Sequence, residues 1–339
     1  MEYKFNPKVQ KLKQMQALSL ESKIIMSRQR IKEWHEHYEG AVYVSFSGGV
    51  DSTVLLHLVR SVFPDVKAVF CNTGLEYPQI VRFVHKTENV EIIRPKLTFK
   101  QVIEKYGYPV ISKETATKIQ EIRTTKSQKL LDLRLGKTEG RKMAGLPQKY
   151  RYLINAPFKI SGECCSHLKK QPFARYNKTH KEFAYVGIMA EESLLRQESY
   201  IRYSCNAFEQ KNPQSRPLMF WTRQDILQYL QKYNVDYCKA VYGEIVRDKN
   251  TGLLKFTGAD RTGCTFCMFG VHLEPYPNRF QRMQTENPAL YNYCINELNL
   301  KQVLEFCHIP YDRNDYGVGV QLSFEFEETD EKSQNCDKK

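Results

Sequence analysis

No apolar run in this 339-residue chain reaches the roughly 20 residues that a bilayer-crossing helix requires, which excludes a helical membrane protein. The opening Met1-Glu2-Tyr3-Lys4-Phe5-Asn6 has none of the hydrophobic segment of a secretory signal, so a cytoplasmic location with no membrane partner is expected. Internal repeats and low-complexity tracts are also missing, which sets aside solenoid and linker-like architectures. Acids are in short supply: 38 Asp and Glu against 51 Lys and Arg leave a formal charge of +13. A polyanionic partner, either a nucleotide or a nucleic acid, is the expectation. Residues 112–151 concentrate this excess, with eleven bases against four acids, whereas residues 321–339 hold six acids against three bases. A solvated helical face accounts for such a run as simply as nucleic-acid contact does.

The loop at residue 47 matches neither of two common phosphate motifs: it lacks the Gly-Lys-Ser/Thr ending of Walker A and the third glycine of a dinucleotide fingerprint. What is present is an apolar stretch, Tyr43-Val44-Ser45-Phe46, running into Ser47-Gly48-Gly49-Val50-Asp51-Ser52-Thr53 and then into Val54-Leu55-Leu56-His57-Leu58-Val59. A strand, a turn poor in side chains and a helix N-terminus make an anion cradle, because glycines admit an oxyanion to the backbone and the first helical amides point at it. Ser47 to Ser52 resembles the PP-loop of ATP pyrophosphatases. In that family the loop holds the β- and γ-phosphates while the α–β bond is cut. Asp51 is the discriminating residue, since a carboxylate beside phosphates is repulsive unless Mg²⁺ lies between them.

Short β-branched runs at 41–45, 66–71, 90–93 and 183–188 alternate with helical patterns near 51–62, 78–88 and 98–106. This rhythm predicts an α/β fold with a parallel twisted sheet and helices on both faces, its ligand at the carboxyl ends of the strands. Residues 1–39 form an N-terminal helical segment, in which Ile24, Ile25, Met26, Ile31 and Trp34 are expected to cover one face of a helix over 21–39. The nucleotide-binding domain is expected over 40–235, with a charged helical insertion at 112–150 as a lid or docking arm. A cysteine-bearing metal subdomain is expected over 236–312, and a mobile acidic tail over 313–339. Thr222-Arg223-Gln224-Asp225 is a capping box that starts a helix.

Ten cysteines in a cytoplasmic chain argue for metal or redox chemistry rather than disulfides. Cys164 and Cys165 are adjacent, Cys264 and Cys267 form a CxxC, and Cys71, Cys205, Cys238, Cys294, Cys307 and Cys336 stand alone. Brought together by the fold, the two pairs supply four thiolates, suited to a 4Fe–4S cluster or to zinc; adjacency is awkward for one tetrahedral ion and favours the cluster. His167, His272 and His308 are more simply structural than ligating. Tyr150, Tyr152, Tyr176 and Tyr185, set among bases, either stack nucleobases or fill the core.

Cys164-Cys165-Ser166-His167-Leu168-Lys169-Lys170-Gln171-Pro172 and Arg261-Thr262-Gly263-Cys264-x-x-Cys267 resemble the cysteine pattern of the cluster-bearing adenylylsulfate (APS) and phosphoadenylylsulfate (PAPS) reductases. Three further segments resemble that family in the same order: Asn72-Thr73-Gly74-Leu75-Glu76-Tyr77-Pro78, Gly187 to Arg196, and Arg216-Pro217-Leu218-Met219-Phe220-Trp221-Thr222 with Asp225. The resemblance implies a Rossmann-like sheet of the adenine nucleotide alpha hydrolase type and an enzyme of sulfur-related chemistry. It implies that Ser45, Ser47, Gly48, Gly49, Ser52 and Thr53 bind phosphate and that Asp51 holds the Mg²⁺ of Mg·ATP. Asn72, Gly74 and Glu76 would border the adenosine, while Lys113, Arg196 and Arg261 would neutralise charge at the α-phosphate or leaving group. Cys164, Cys165, Cys264 and Cys267 would carry the 4Fe–4S cluster.

Departures from the pattern matter too. Met189 replaces the first arginine of its motif and Asn72 the usual aspartate, so recognition of substrate phosphate or sulfate is altered. The reductases' catalytic Glu-Cys-Gly tail is missing; Cys336 lies in a comparable place, among neighbours that do not favour a thiolate. Three readings follow: an ATP pyrophosphatase acting in sulfur chemistry; a sulfonucleotide reductase releasing sulfite with a thioredoxin-like or other sulfur-donor partner; and a nucleotide-sensing component that binds tRNA or DNA.

Overall fold

The computed structural model describes residues 7–141 and 144–315. Cys336 and nearly all of the acidic tail lie outside the described residues. The chain forms two compact units: unit 1 comprises the chain up to Gly107 together with Gly162–Cys267, and unit 2 comprises Tyr108–Ser161 and the chain from Met268 onward.

Along the chain, α1 (Pro7–Gln16) and α2 (Leu20–His37) open unit 1. Ser19 caps α2, its hydroxyl accepting from Ser22 N at 3.2 Å. Ile24, Ile31 and Trp34 are buried on α2 but Ile25 is 69% exposed. At 100° per residue Ile24, Ser27, Ile31 and Trp34 share a stripe and Ile25 falls outside it, which corrects the expected apolar face. The alternation then appears as β1 (Val42–Phe46), α3 (Val50–Arg60), β2 (Ala68–Cys71), α4 (Pro78–Lys86), β3 (Val90–Ile93) and α5 (Phe99–Tyr106). Unit 2 takes β4 (Val110–Ile111), α6 (Lys113–Thr124) and α7 (Gln128–Arg134). The chain returns to unit 1 through α8 (Gln171–His180), β5 (Phe183–Val186), α9 (Leu194–Tyr203), β6 (Asn206–Ala207), β7 (Gln214–Ser215), α10 (Arg223–Lys232) and α11 (Lys239–Tyr242). The hairpin of β8 (Ile245–Arg247) and β9 (Leu254–Phe256) follows, and β10 (Met268–Phe269), α12 (Arg279–Glu286), α13 (Pro288–Asn292) and α14 (Leu300–Phe306) belong to unit 2.

Unit 1 is built on one six-stranded sheet of order β3-β2-β1-β5-β7-β6, parallel except for β6 against β7. Both faces are covered. Val42, Val44 and Phe46 of β1 enter the large core shared with α2, α3 and α10, while Tyr43 faces the other way and packs with Val69, Tyr176 and Ala184, with Phe173 of α8 against them. A doubly covered parallel sheet explains why these strands are near-continuous apolar runs. The chain leaves β1 towards β2 and β3, then returns on the other side at β5, so the strand order reverses beside β1. That reversal is where such sheets hold ligands.

The segment resembling the family's Pro-Leu-x-x-Trp-Thr-x-x-Asp motif clips α10 to α2. Trp221 Nε1 donates to Ser27 Oγ at 2.8 Å, and Lys23 Nζ to Asp225 Oδ2 at 2.7 Å, both buried. Asp225 also accepts from Thr222 N at 2.6 Å, forming the expected capping box.

In unit 2, β10 pairs in parallel with β4, joining the basic segment to the chain beyond Cys267. The compact units therefore run differently from the expected domains. The basic insertion belongs with the C-terminal helices rather than with residues 40–235, and Cys264 and Cys267 belong with the sheet rather than with a separate subdomain. Among the described residues no helix is long and apolar enough to cross a membrane.

Candidate nucleotide and cysteine site

At the end of β1 the chain turns through Gly48, whose φ is +71°. A Cβ there would stand 2.7 Å from Ile80 Cγ2 and 2.8 Å from Val84 Cγ2, so α4 sits where only glycine fits. The loop then fastens itself: Ser47 N donates to Ser52 Oγ at 3.1 Å, and the hydroxyls of Ser52 and Thr53 donate to Gly49 O at 2.8 and 3.0 Å. Gly187, just after β5, lies so close that a Cβ on it would approach Asp51 O to 3.0 Å.

A pocket of about 210 Å³ opens over the start of α3, lined among others by Ser47, Gly49, Asp51, Ser52, Arg196 and Arg261. Arg223 reaches Asp51 as well, its Nη1 donating to Oδ1 at 3.0 Å, while Nη2 donates to Asp260 O. Burial pushes the Asp51 carboxyl up from the ordinary aspartate range, against the pull of Arg223, Arg261 and Arg196. Buried Glu192 pairs with Arg196 and lies 3.8 Å from Arg261. Three guanidinium groups are thus held by carboxylates around a helix N-terminus, an arrangement that a polyphosphate can take over.

Through Ser47 and Thr262 this pocket adjoins a second cavity of about 270 Å³. Its walls include Ser45, Phe70, Glu76, Tyr77, Lys169 and Phe173. Aromatic walls with a few polar groups suit a nucleoside. Glu76 also closes its own loop, accepting from Thr73 N at 3.0 Å and Thr73 Oγ1 at 2.7 Å.

The four motif cysteines belong to unit 1. Cys164 Sγ lies 3.9 Å from Cys165 Sγ. The bond to Cys165 and burial push the Cys164 thiol up, and the charges of Cys165, Cys267 and Cys264 add to this, so the two pairs act on one another. After Cys165 the chain makes a wide turn over Ser166–Lys170, with Gln171 N donating to Ser166 O, the kind of helical irregularity often found at functional sites. Lys169 bridges the thiols and the cavity it lines: burial opposes its charge, but Cys264 and Glu76 outweigh that and raise its pKa. Among the described residues no three His, Cys, Asp or Glu side chains close in as tightly as a single metal ion requires.

The remaining expected site residues fall elsewhere. Gly48 and Thr53 shape the loop, and Thr53 lines a different cavity with Leu56 and His57. Asn72 closes a turn, its Oδ1 accepting from Gly74 N at 3.0 Å, and neither residue lines the second cavity. Lys113 is exposed at the start of α6 in unit 2 and lines neither site cavity. Buried Met189 is part of the core. Tyr185 is buried with its hydroxyl on Ile31 O at 2.8 Å, and Tyr176 is buried on Glu91 and Glu182, so these two take the core-filling alternative and not the stacking one. His167 stacks on Tyr106 with centroids 4.3 Å apart. Cys71, Cys205, Cys238, Cys294 and Cys307 are buried. Sequence reasoning missed Arg223, at a position its motif leaves open, Lys169, quoted within its motif without a role, and Glu192, a motif residue four positions before its partner Arg196.

The phosphoadenosine phosphosulfate reductase domain matches residues 41–267, and the chain belongs to that family. It is 24% identical over 286 residues to an uncharacterised protein of Methanocaldococcus jannaschii, covering 82% of this chain and 53% of that one. The chain thus spans about half the length of that relative. Over 79 residues it is 30% identical to the adenosine 5'-phosphosulfate reductase of Bacillus cereus, covering 22% of this chain and 34% of that protein. Among solved structures, the PAPS reductase of Candida auris in its phosphate complex aligns with a TM-score of 0.37 at 16% identity, covering 66% of this chain and 91% of that one. Family membership supports an enzyme of sulfonucleotide reductase-like or nucleotide-binding function.

Proposed function

We propose that this protein binds Mg·ATP and cleaves its α–β bond, handing the adenylyl group to an acceptor in sulfur-related chemistry. The carrying observation is the pocket in which a complete Ser-Gly-Gly-x-Asp-Ser loop meets Arg196 and Arg261, with Arg223 bonded to Asp51, beside a second cavity with aromatic walls. The β- and γ-phosphates would lie on the amides at the start of α3. Asp51 would exchange Arg223 for the Mg²⁺ that arrives with the nucleotide, freeing Arg223 for phosphate. An acceptor oxygen attacks the α-phosphorus, the bond to the bridging oxygen breaks, and pyrophosphate leaves with the electron pair, its charge met by the arginines. The aromatic walls hold the adenosine.

Cys164, Cys165, Cys264 and Cys267 would hold a 4Fe–4S cluster or a zinc ion; what supports this is that the four thiols belong to one unit, with Lys169 beside them. Such a cluster would supply electrons or a sulfur-binding iron. A second reading, sulfite release from APS or PAPS with a thioredoxin-like reductant, is favoured by the names of relatives that match 22% and 30% of this chain.

Protein purified anaerobically and incubated with Mg·ATP should yield AMP and pyrophosphate, with Asp51→Ala reducing the rate by at least about 100-fold. ADP and phosphate as the products would overturn the proposal. Sulfite from PAPS, with ATP untouched, would establish the second reading in its place.

A further inference from the structure

The structure sorts the charges of residues 112–151 into two sets. One set is internal to unit 2. Arg123 donates to the carbonyls of Leu153, Ile154, Ala156 and Phe158 at 2.7–3.0 Å, pinning the turn Gln148–Asn155. Arg134 is held by Glu121 and Ala144 O, and Lys118 by Glu114 and Gly145 O. Asp132 accepts from Gln128 at 3.0 Å, with Lys137 3.9 Å away. The segment's acids are therefore largely occupied by internal partners.

The other set consists of Lys113, Lys126, Lys129, Arg141 and Lys149, all exposed and without a carboxylate partner among the described residues. The surface left to solvent thus keeps the positive excess that the composition shows, three of the segment's four acids being paired with three of its bases and Glu139 being exposed. It is also local, because residues 268–315 hold four bases against six acids.

Positive charge would suit any polyanion, but the aromatics narrow the choice. The turn presents Lys149, Tyr150, Arg151 and Tyr152 in succession. Tyr150 is positioned by its hydroxyl's 3.1 Å bond to His272 Nε2 and by the Lys149 ammonium 5.0 Å from its ring. Tyr152 is 37% exposed, and its ring is propped by Phe306 and His308 with centroids 5.9 and 5.8 Å away. A fixed, accessible tyrosine in one turn with Lys149 and Arg151 offers a π-face to a base and charges to its flanking phosphates. Only unpaired strands expose base faces. We infer that this surface of unit 2 docks single-stranded nucleic acid, with Tyr152 as the stacking platform and Lys126, Lys129 and Lys149 on the backbone.

The test is fluorescence anisotropy of the full chain with labelled strands of about 20 nucleotides, oligo-U RNA and oligo-dT, and a DNA duplex of the same length. Both single strands share the required chemistry, and tight binding of either supports the inference; their ratio separates an RNA from a DNA partner. The variant K126E/K129E/K149E should bind at least tenfold more weakly and lower the slope of log affinity against log salt by about 2, three phosphate contacts at about 0.7 each. Its unfolding midpoint should match the parent's, because these side chains are exposed and unpaired by carboxylates. Tyr152→Ala should weaken single-strand binding roughly 5- to 100-fold, with Tyr152→Trp restoring it. No binding of any strand, an unchanged affinity in the triple variant, or duplex bound as tightly as single strand and indifferent to Tyr152 would each overturn the inference. Every residue involved lies in unit 2, whereas the nucleotide pocket is lined by unit 1, so ATP cleavage persisting in the triple variant keeps the two proposals separable.

Discussion

Asp51 sits in a conflict that its neighbours do not resolve. Three arginines pull its proton off, burial holds it on, and burial prevails. A carboxyl in that state costs the native fold something when it is ionised. The sign can be worked through. In the unfolded chain the group releases its proton near about pH 3.9; in the native protein it does so at higher pH. The native state therefore binds more protons in between, and stability falls as pH rises through that window. Asp51→Asn should accordingly be more stable than the parent at pH 7, and the advantage should disappear below about pH 4 in urea titrations of the two proteins. If the Asp51→Asn variant is instead less stable than the parent at neutral pH, the Arg223 ion pair dominates. At this scale Ser47, Asp51, Arg196 and Arg261 are legible in the sequence because local spacing defines them. Arg223 is not, since it reaches Asp51 across 172 residues.

The element that makes the site is the β1–loop–α3 unit, and its shape depends on α4 as much as on its own residues. Ile80 and Val84 fill the space where a side chain at position 48 would go. Gly48→Ala would add both a left-handed backbone penalty of about 1–2 kcal/mol and an overpacking term of about 1–3 kcal/mol. Denaturant unfolding should therefore show a loss of roughly 2–5 kcal/mol. A loss below about 0.5 kcal/mol would show that the loop does not need its present path. The helices α2 and α10 illustrate a different lesson. Trp221 and Asp225 of the Trp-Thr-x-x-Asp pattern spend their polar atoms on Ser27, Lys23 and Thr222. They orient α10, whose first residue, Arg223, reaches the pocket.

For the whole molecule, the parallel sheet is legible because each strand is a buried apolar run and each crossover helix has its own periodicity. The partition into units is not, because it depends on a two-residue strand, Val110–Ile111, meeting Met268–Phe269 far along the chain, too short a pairing to leave a sequence pattern. Nor does spacing say that Cys164, Cys165, Cys264 and Cys267 belong to one compact unit; only the fold assigns them there. We propose that unit 1 binds a nucleotide triphosphate tail on the Ser47–Ser52 loop, with its adenosine in the cavity lined by Phe70, Lys169 and Phe173. The most direct measurement is an anaerobic crystal structure with Mg²⁺ and an ATP analogue whose α–β bridge cannot be cleaved. It should show β- and γ-phosphates at the first amides of α3, Arg223 swung from Asp51 to phosphate, and adenosine between Phe70 and Phe173. A nucleotide bound elsewhere, with Arg223 still on Asp51 and the loop bare, would contradict it.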